Sequence, residues 1–387
     1  MKRLGLGLGL ATALVAAGCG SDSEPARGGD AAASQTVTET DRPFDVEEVD
    51  SFDDPWAMEF LPGTDDLLVT ERSGTLYLRD GETGERLEVE GVPEVVVAGQ
   101  GGLGDVVVGP SFAEDGTVFL SWAEAGSGGS GAAVGRAQLR TGDGSASLED
   151  LEVIWRQTPK VSGDGHFGHR IAVDPDGEHL FVTSSDRQAQ TPAQDTSNTI
   201  GTIVRLTLDG EPAPGNPLAD QGGVSAEIWS WGHRNPLGLQ FAPDGELWSS
   251  EMGPEGGDEL NLVVEGANYG WPEASYGSQY GGGEIPDHAD GDGFEAPKAW
   301  WNPAISPGSL MIYSGDLFPD WTGDAFLGAL SGEALVRVDL DGTTAGDDEI
   351  FEMGERIREV VEGPDGAIWL LEDAGAGRLL RLTPPTS

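Results

Sequence analysis

The sequence predicts an all-β fold, specifically a six-bladed β-propeller with four antiparallel strands in each blade. Two observations lead to this prediction. Glycine (60) and proline (24) are abundant among the 387 residues, which favours many short strands joined by turns over long helices. A turn followed by a short apolar run also recurs along the chain. Six copies of that phrase predict strand units repeated around an axis.

Each clear copy of the phrase contains an Asp-Gly turn and then an apolar run that reads as a strand. The clear copies are 112–116 with 118–120, 174–177 with 180–182, 242–245 with 247–248, and 363–366 with 368–370. Degenerate copies begin at Phe60 and at Trp321. A pair of β-sandwiches is the alternative, but blades account better for the repetition. The long interval from Gly266 to Trp301 is expected to form loops over one face.

The charge balance is strongly acidic, with 21 Lys+Arg against 68 Asp+Glu and a formal net charge of −47. Nucleic-acid binding depends largely on basic residues that neutralise phosphates, so this composition argues against it. Adhesion to an anionic membrane through basic patches is disfavoured for the same reason. The acidity is typical of a solvated surface.

The N-terminus has the features of a targeting segment. Lys2 and Arg3 precede an apolar run that ends just before Cys19, the only cysteine. Small residues before a cysteine resemble a bacterial lipobox, which predicts lipidation of Cys19. We expect a lipoprotein signal peptide over 1–18, the lipidated Cys19 with a flexible acidic linker over 19–45, and a folded domain over 46–387. An ordinary secretory signal with an incidental cysteine is the alternative.

This reading predicts an extracytoplasmic protein, lipid-anchored to the outer face of the bacterial cell membrane and bound to that membrane only through its lipid. A single lipidated cysteine leaves no disulfides, so the core must hold the fold.

Few residues of the chain suit catalysis. His166 and His169 lie beside Arg170, and His233 precedes Arg234. A histidine can act as a general base, and a nearby arginine can act as an electrophilic group that holds negative charge. A single histidine is nevertheless more often structural. No spacing typical of a zinc site, a Ser-hydrolase elbow or a nucleotide-binding glycine loop is found.

Two further sequence segments contain residues that could bind a ligand. Acidic residues among the glycines of 251–261 could supply hard oxygen ligands to Ca²⁺, although an acidic turn explains them as well. Arg356 and Arg358 stand two residues apart on one face of a predicted strand. Such a pair either grips an anion such as a carboxylate or forms salt bridges with the acidic surface.

Several of these phrases occur together in a fixed order: 100–103, 166–170, 232–236, 253–259, 268–272 and 356–366. In this order they resemble the glucose/sorbosone dehydrogenase family, the soluble quinoprotein aldose sugar dehydrogenases that use pyrroloquinoline quinone (PQQ). The resemblance runs from about Phe52 to Leu382. The family is a six-bladed propeller, which agrees with the repeats.

The resemblance implies a PQQ site of seven residues, Gln100, His166, Arg234, Asn235, Tyr280, Arg356 and Arg358. His166 matches the general base for the sugar's anomeric hydroxyl, while hydride passes to PQQ. Arg234, the second catalytic residue, matches a donor to the quinone oxygens, where negative charge develops. Arg356 and Arg358 match the pair that binds PQQ carboxylates.

The resemblance also implies Ca²⁺. The carbonyls of Gly253 and Pro254 match ligands of a Ca²⁺ that polarises the quinone, and Glu259 and Tyr269 match a second, structural Ca²⁺ position. Trp301 matches a wall of the substrate cleft.

Two positions depart from the family pattern. Ser331 stands where a lysine often reaches PQQ, and His169 stands where a small residue is usual. The insertion of the dimeric glucose dehydrogenases is absent, so we expect a monomer that oxidises the C1 hydroxyl of several aldoses to the lactone. Its electrons would pass to an external acceptor that the sequence does not identify.

Two other functions remain open at this level. One is a Ca²⁺-dependent propeller lactonase or hydrolase, with metal held by side-chain carboxylates at the channel mouth. The other is a non-catalytic surface lipoprotein that binds a carbohydrate or a protein.

Overall fold

The computed structural model describes residues 42–142 and 144–385, and regular structure there is almost entirely β-strand. The predicted all-β class is therefore confirmed. The only α-helix in these ranges is one turn, α1 (Phe112–Asp115). Four 3₁₀ helices accompany it: Thr191–Gln194, Ala219–Gln221, Gly223–Glu227 and Pro319–Trp321. No helix within the described ranges has the length and apolar character needed to cross a bilayer.

The first half of the domain forms a first strand and three meanders. The strands are β1 (Asp45–Phe52); β2 (Pro55–Phe60), β3 (Leu67–Glu71), β4 (Thr75–Arg79) and β5 (Arg86–Glu90); β6 (Leu103–Val108), β7 (Thr117–Gly126), β8 (Gly129–Gly142) and β9 (Ser145–Arg156); and β10 (Gly168–Val173), β11 (His179–Ser184), β12 (Thr202–Thr207) and β13 (Ile228–Trp231).

The second half continues the pattern, with one small hairpin inserted. The strands are β14 (Pro236–Phe241), β15 (Leu247–Glu251) and β16 (Asp258–Leu262), the hairpin β17 (Ser278–Gln279) and β18 (Gly283–Glu284), and β19 (Ala299–Trp301); then β20 (Met311–Ile312), β21 (Ala325–Ala329), β22 (Ala334–Asp341) and β23 (Thr344–Glu352); and finally β24 (Ile357–Glu362), β25 (Ile368–Glu372) and β26 (Gly377–Thr383).

Antiparallel pairing groups these strands into four-stranded meanders. Separate sheets are formed by β10–β13, by β14–β16 with β19, by β20–β23, and by β24–β26 with β1. The meanders β2–β5 and β6–β9 share one eight-stranded sheet, because β5 and β9 pair in parallel at Val89↔Ala146 and Glu90↔Ser147. β1 pairs with β26 from Asp45↔Thr383 to Phe52↔Gly377, so the first and last strands close one sheet together.

The first strands of the meanders contact one another in turn. β2 touches β6, β6 touches β10, β10 touches β14, β14 touches β20, and β24 contacts both β20 and β2. Apolar cores fill the spaces between neighbouring meanders, as where Phe119 and Val134 pack against Ile171. This ring of first strands leaves a channel along its centre.

The repeated turn motif of the sequence occupies the same place in every meander. All six copies lie between the first and second strands of a meander, from 60–63 between β2 and β3 to 363–366 between β24 and β25. The glycines of the Asp-Gly copies adopt a left-handed φ, for example 70° at Gly177 and 94° at Gly245, which suits glycine in a tight turn. The phrase is repeated because the same turn is built six times.

Candidate active site

A cavity of about 220 Å³ lies at the starting ends of the first strands. Every meander, or the loop that leads into it, contributes to its wall. Four of the predicted cofactor residues line it, namely Gln100, Asn235, Arg356 and Arg358. The other predicted cofactor residues, His166, Arg234 and Tyr280, stand beside it through contacts described below.

His166 is held by a carboxylate that sequence reasoning missed. Its Nδ1 lies 2.7 Å from Oδ1 of Asp186, and the His166 side chain is 8% exposed. Its backbone N–H donates to Oε1 of Gln100 at 2.6 Å, which ties the histidine to the cavity wall. With Nδ1–H donated to the carboxylate, Nε2 is the nitrogen left to accept a proton.

Asp186 is itself fixed by two donors. Trp271 Nε1 donates to its Oδ2 at 2.8 Å, and the backbone N–H of Gln188 donates to its Oδ1 at 2.8 Å. The carboxylate is fully buried, so its orientation depends on these bonds. A buried carboxylate that orients a histidine also stabilises the imidazolium that forms when the histidine takes a proton.

Arg187 braces the loop before His166. Its guanidinium donates to the carbonyls of Gly165, Ser130 and Gly163 at 2.9, 2.7 and 2.5 Å, and stacks on Phe167 at 3.7 Å. Burial lowers the pKa of this arginine to about 10, so it stays protonated at neutral pH. These contacts of Arg187 therefore hold the loop that carries His166 in place.

Backbone strain is concentrated around the cavity. His166, His169, Arg187, Gln188 and Ser306 all have φ between 48° and 62°, the left-handed region that residues other than glycine rarely adopt. Strain of this kind persists where the surrounding contacts over-determine the conformation, typically at functional sites.

Arg234 and Asn235 enter the site from the segment before β14. The Arg234 backbone N–H donates to Oε2 of Glu251 at 2.7 Å, and its Nη1 donates to the carbonyl of Met252 at 2.8 Å. Two buried polar atoms here have no hydrogen-bond partner among the described residues: Arg234 Nε and Asn235 Oδ1. Unsatisfied buried groups beside a cavity suit a polar ligand that would complete their bonding.

His233 has a structural role. Its ring is fully buried, with Nδ1 2.9 Å from Glu251 Oε1 and Nε2 2.9 Å from Ser230 Oγ. It orients Glu251, which in turn holds the Arg234 backbone.

The cavity is locally cationic although the protein is acidic. Arg356 and Arg358 both bond to Asp373, Arg358 through Nε at 2.9 Å and Arg356 through Nε at 2.7 Å. Arg72, which sequence reasoning also missed, is a third guanidinium in the wall. The wall contains three guanidinium groups and one carboxylate, that of Asp373, so it suits an anion. Arg358 lowers the pKa of Asp373, which therefore stays ionised.

The four predicted metal residues meet at one small void. Gly253, Pro254, Glu259 and Tyr269 line a space of about 10 Å³ beside Arg234. That volume is near the minimum for a single water or ion. Burial, together with the charge of Glu251, raises the pKa of Glu259 well above its usual value, so a cation would relieve both carboxylates.

The Tyr269 side chain is already bonded to the backbone. The Tyr269 hydroxyl donates to the Leu262 carbonyl and accepts from the Val264 N–H at 2.8 Å, which leaves only its carbonyl for a metal. In the described ranges no three His, Cys, Asp or Glu side chains are arranged to hold a metal ion. A cation in this void would therefore need backbone oxygens in addition to the carboxylates of Glu251 and Glu259.

Trp301, which the resemblance places in the wall of the substrate cleft, lies in an apolar core. Trp301 is 2% exposed, packs in the core with Leu260 and Ile305, and donates from Nε1 to Asp348 at 2.8 Å. It lies at the end of β19, the outermost strand of its meander, and does not line the cavity.

Tyr280 is 72% exposed in the inserted hairpin region, and its hydroxyl lies 3.4 Å from Arg234 Nη2. This contact sets it at the outer side of the arginine. Cys19, the predicted lipidation site, lies outside the described residues.

The two residues that depart from the family pattern, Ser331 and His169, have different surroundings. Ser331 does not line the cavity; its hydroxyl bonds to Ser306 Oγ at 2.7 Å, and Ser306 lines the wall. His169 is itself part of the wall and stacks on Trp56 at 5.1 Å between ring centroids.

Comparison with known proteins agrees with this geometry. The family model described as glucose/sorbosone dehydrogenase matches residues 52–381. The aldose sugar dehydrogenase YliI of Escherichia coli K12 is 39% identical over 342 residues, covering 87% of this chain and 91% of that protein.

Solved structures are similar throughout the domain. The apo-form of the soluble aldose sugar dehydrogenase from Escherichia coli aligns with a TM-score of 0.84 at 38% identity, covering 88% of this chain and 100% of that one. The PQQ-bound aldose sugar dehydrogenase from Streptomyces coelicolor aligns with a TM-score of 0.73 at 30% identity, covering 88% and 98%.

The fold and the cavity, with these likenesses, define a sugar dehydrogenase of the β-propeller type. The chain belongs to the glucose/sorbosone dehydrogenase family.

Proposed function

We propose that the protein is a PQQ-dependent aldose dehydrogenase that oxidises the C1 hydroxyl of the sugar to the lactone. The observation that carries this proposal is the His166–Asp186 pair, tied through Gln100 to a cavity with three arginines in its wall. When bound, PQQ would supply the two-electron acceptor for the hydride. The similar Streptomyces protein is described as PQQ-bound, which supports this choice of cofactor.

His166 would act as the general base. Its Nε2 takes the proton of the C1 hydroxyl as the C1–H bond breaks and the C1–O double bond forms. The two electrons leave C1 with the hydride, and the proton resides on the imidazole. Asp186 stabilises the imidazolium and prevents the ring from rotating. An external acceptor would then reoxidise the protein's cofactor.

The cofactor would be held by charge and by completed hydrogen bonds. PQQ carries three carboxylates, and Arg356 and Arg358 present forked donors suited to such groups. Asn235 and Arg234 have buried polar atoms that lack partners among the described residues, and Arg234 would donate where negative charge develops on the quinone. Tyr280 would cover the outer side of Arg234.

Calcium is part of the proposal. The void lined by Gly253, Pro254, Glu259 and Tyr269 fits a single small ion, and oxygen atoms are the ligands that Ca²⁺ prefers. Close to the quinone, such an ion would polarise its oxygens. No arrangement in the described ranges matches the carboxylate-held metal that a propeller lactonase would need.

The proposal extends to architecture and location. The closed ring of first strands supports six blades of four strands each, with β1 completing the last blade. The expected monomer and the lipid anchor at Cys19 remain predictions from the sequence.

Reconstitution tests the proposed function. Purified protein would be titrated with PQQ in the presence of Ca²⁺, and dye reduction would be followed on addition of several aldoses. We expect sugar-dependent reduction that is lost in His166→Ala while PQQ still binds. PQQ binding without any turnover would indicate that the sugars or the electron acceptor in the assay are not the ones this protein uses. No PQQ binding would contradict the proposal and favour a non-catalytic binding protein.

A further inference from the structure

His169 brings an additional polar group to the cavity wall. The residue is 2% exposed and lines the cavity together with Gln100, Arg356 and Arg358. Its ring is gripped on one face by Trp56, with an interplanar angle of 24°. On one edge it meets Gly104, where a Cβ would lie 2.0 Å from the His169 Cε1. The ring therefore has one orientation.

The hydrogen bonds of Ser121 assign the tautomer of His169. Ser121 is fully buried, and its Oγ accepts the backbone N–H of Asp105 at 2.8 Å. The same Oγ lies 2.9 Å from His169 Nδ1. No other partner of this hydroxyl exists among the described residues, so its proton is satisfied only if it is donated to Nδ1. Nδ1 is then the acceptor, and Nε2 carries the ring proton.

The imidazole is neutral. Burial and the adjacent charge of Arg170 lower the pKa of His169 to about 3, so the ring remains uncharged across the physiological range. A neutral imidazole has one N–H to donate, and here it is on Nε2.

The Nε2 atom is open to a ligand. It bonds to no described residue, and it is absent from the set of fully enclosed polar atoms that lack partners. Since His169 belongs to the cavity wall, an Nε2–H without a protein partner is placed to meet a ligand in the cavity.

We propose that His169 is a fixed, neutral hydrogen-bond donor, whose Nε2–H binds an oxygen atom of the cofactor held in the cavity. Arg356 and Arg358 supply positive charge, whereas His169 supplies a hydrogen bond of fixed direction. The direction is fixed because stacking on Trp56 and the bond from Ser121 hold the ring in place. A preorganised donor costs little entropy when the ligand binds. This donor adds a polar contact in a chain where Ser331 replaces a cationic one.

The inference rests on the proposed function, and the first test is direct. In full-length protein labelled with ¹⁵N-histidine, the five histidines are few enough to resolve by NMR. We expect the His169 Nε2 to show the protonated shift and to move when PQQ is added. An Nδ1-protonated His169, or an Nε2 that does not respond to bound PQQ, would overturn the inference.

Variants provide the second test. His169→Phe and His169→Leu remove the donor, and His169→Gln retains one. We expect the PQQ dissociation constant to rise roughly 3- to 30-fold in the first two variants and less in the third. His179→Phe, at the surface hairpin where His179 bonds to Asp174, is the matched control and should bind PQQ normally.

The outcomes separate the two proposals. If the unaltered protein binds PQQ and the Phe and Leu variants bind it equally well, the His169 inference is wrong and the proposed function stands. If the unaltered protein binds no PQQ, both fail. The loss in affinity should also be constant between pH 5 and 8, because a neutral donor does not titrate there. A loss that grows toward acidic pH would show a charged imidazole instead.

Discussion

Nδ1 of His166 and Oδ1 of Asp186 lie 2.7 Å apart, and the pairing of β10 with β11 brings them together. The register places Gly168 opposite Ser184, so residues two positions beyond each strand end are also neighbours. The hairpin thus carries a base on one arm and its carboxylate on the other. Because both arms belong to one meander, the pair is set by local geometry.

The first prediction concerns this carboxylate. Asp186→Asn replaces the acceptor with an amide that no longer stabilises the imidazolium, so we expect kcat to fall by about 10²- to 10⁴-fold while PQQ affinity changes little. Dye-reduction kinetics and PQQ titration on the same preparation measure both effects. Asp174→Asn is the control, since Asp174 holds the surface His179 at the same 2.7 Å. Equal losses in the two variants would assign Asp186 a merely structural role.

Much of the fold was predictable, because a turn built six times leaves a repeated trace in the sequence. Asp186 was not, since it lies 20 residues from His166 within Ser184-Ser185-Asp186, which carries no motif. The register of an expected β10–β11 hairpin could have indicated it. The position of Trp301 depends on which strand is outermost, and that follows from sheet order, which the sequence does not contain.

The cationic wall gives a second prediction. Arg358→Gln removes a charged, forked donor from the cavity, and we expect the PQQ dissociation constant to rise roughly 10- to 100-fold. Absorbance titration of PQQ is the measurement. Arg136→Gln, at a partly exposed arginine that pairs with Glu152 and Asp209, removes the same charge from the surface and should have little effect. Unchanged affinity in Arg358→Gln would mean that this arginine serves only Asp373.

Ser331 provides the converse experiment. It follows Leu330 and bonds to Ser306, both of which line the cavity, so a lysine there would add a positive charge close to the wall. Ser331→Lys is therefore expected to tighten PQQ binding several-fold, with a gain that shrinks as salt screens the added charge. Ser331→Gln has a long side chain without charge and is the control. Weaker binding in the lysine variant would show that the Ser331–Ser306 bond matters more for the wall than an added cation.

The contrast between global and local charge predicts an unusual salt response. An anionic cofactor approaches a chain of net charge −47 before it meets the three arginines. The Debye length falls from about 30 Å at 0.01 M salt to about 8 Å at 0.15 M, so added salt screens the distant carboxylates first. We expect the association rate constant for PQQ, measured by stopped-flow fluorescence, to rise over this range. A falling rate constant would mean that the arginines dominate the field at long range.

The far part of the channel makes a separate, testable contribution to stability. A second cavity, of about 580 Å³, is lined by later residues of the same first strands. Arg170 stands between the two, stacked on Trp56 at 4.1 Å and ion-paired with Glu359 and with Asp105 at 3.3 Å. Glu59, which lines the second cavity, has no such partner in the part of the chain that the structure describes. Its Oε1 accepts the Val108 N–H at 3.3 Å.

Burial, with a smaller effect from the charge of Asp105, raises the pKa of Glu59 from 4.5 to about 8. The folded state then binds a proton that the unfolded state has already released, so stability should fall as pH rises from about 4.5 to about 8. Glu59→Gln keeps the acceptor oxygen and removes this titration. We expect the variant to be only slightly more stable than the unaltered protein at pH 5, where the loss has just begun. At pH 8 its unfolding free energy should be higher by at least about 1 kcal/mol, roughly the worth of one pKa unit. Urea denaturation at both pH values measures this difference, with Glu88→Gln on the exposed face of β5 as the control. A gain of equal size at pH 5 and pH 8 would contradict a titration at Glu59 and indicate improved packing instead.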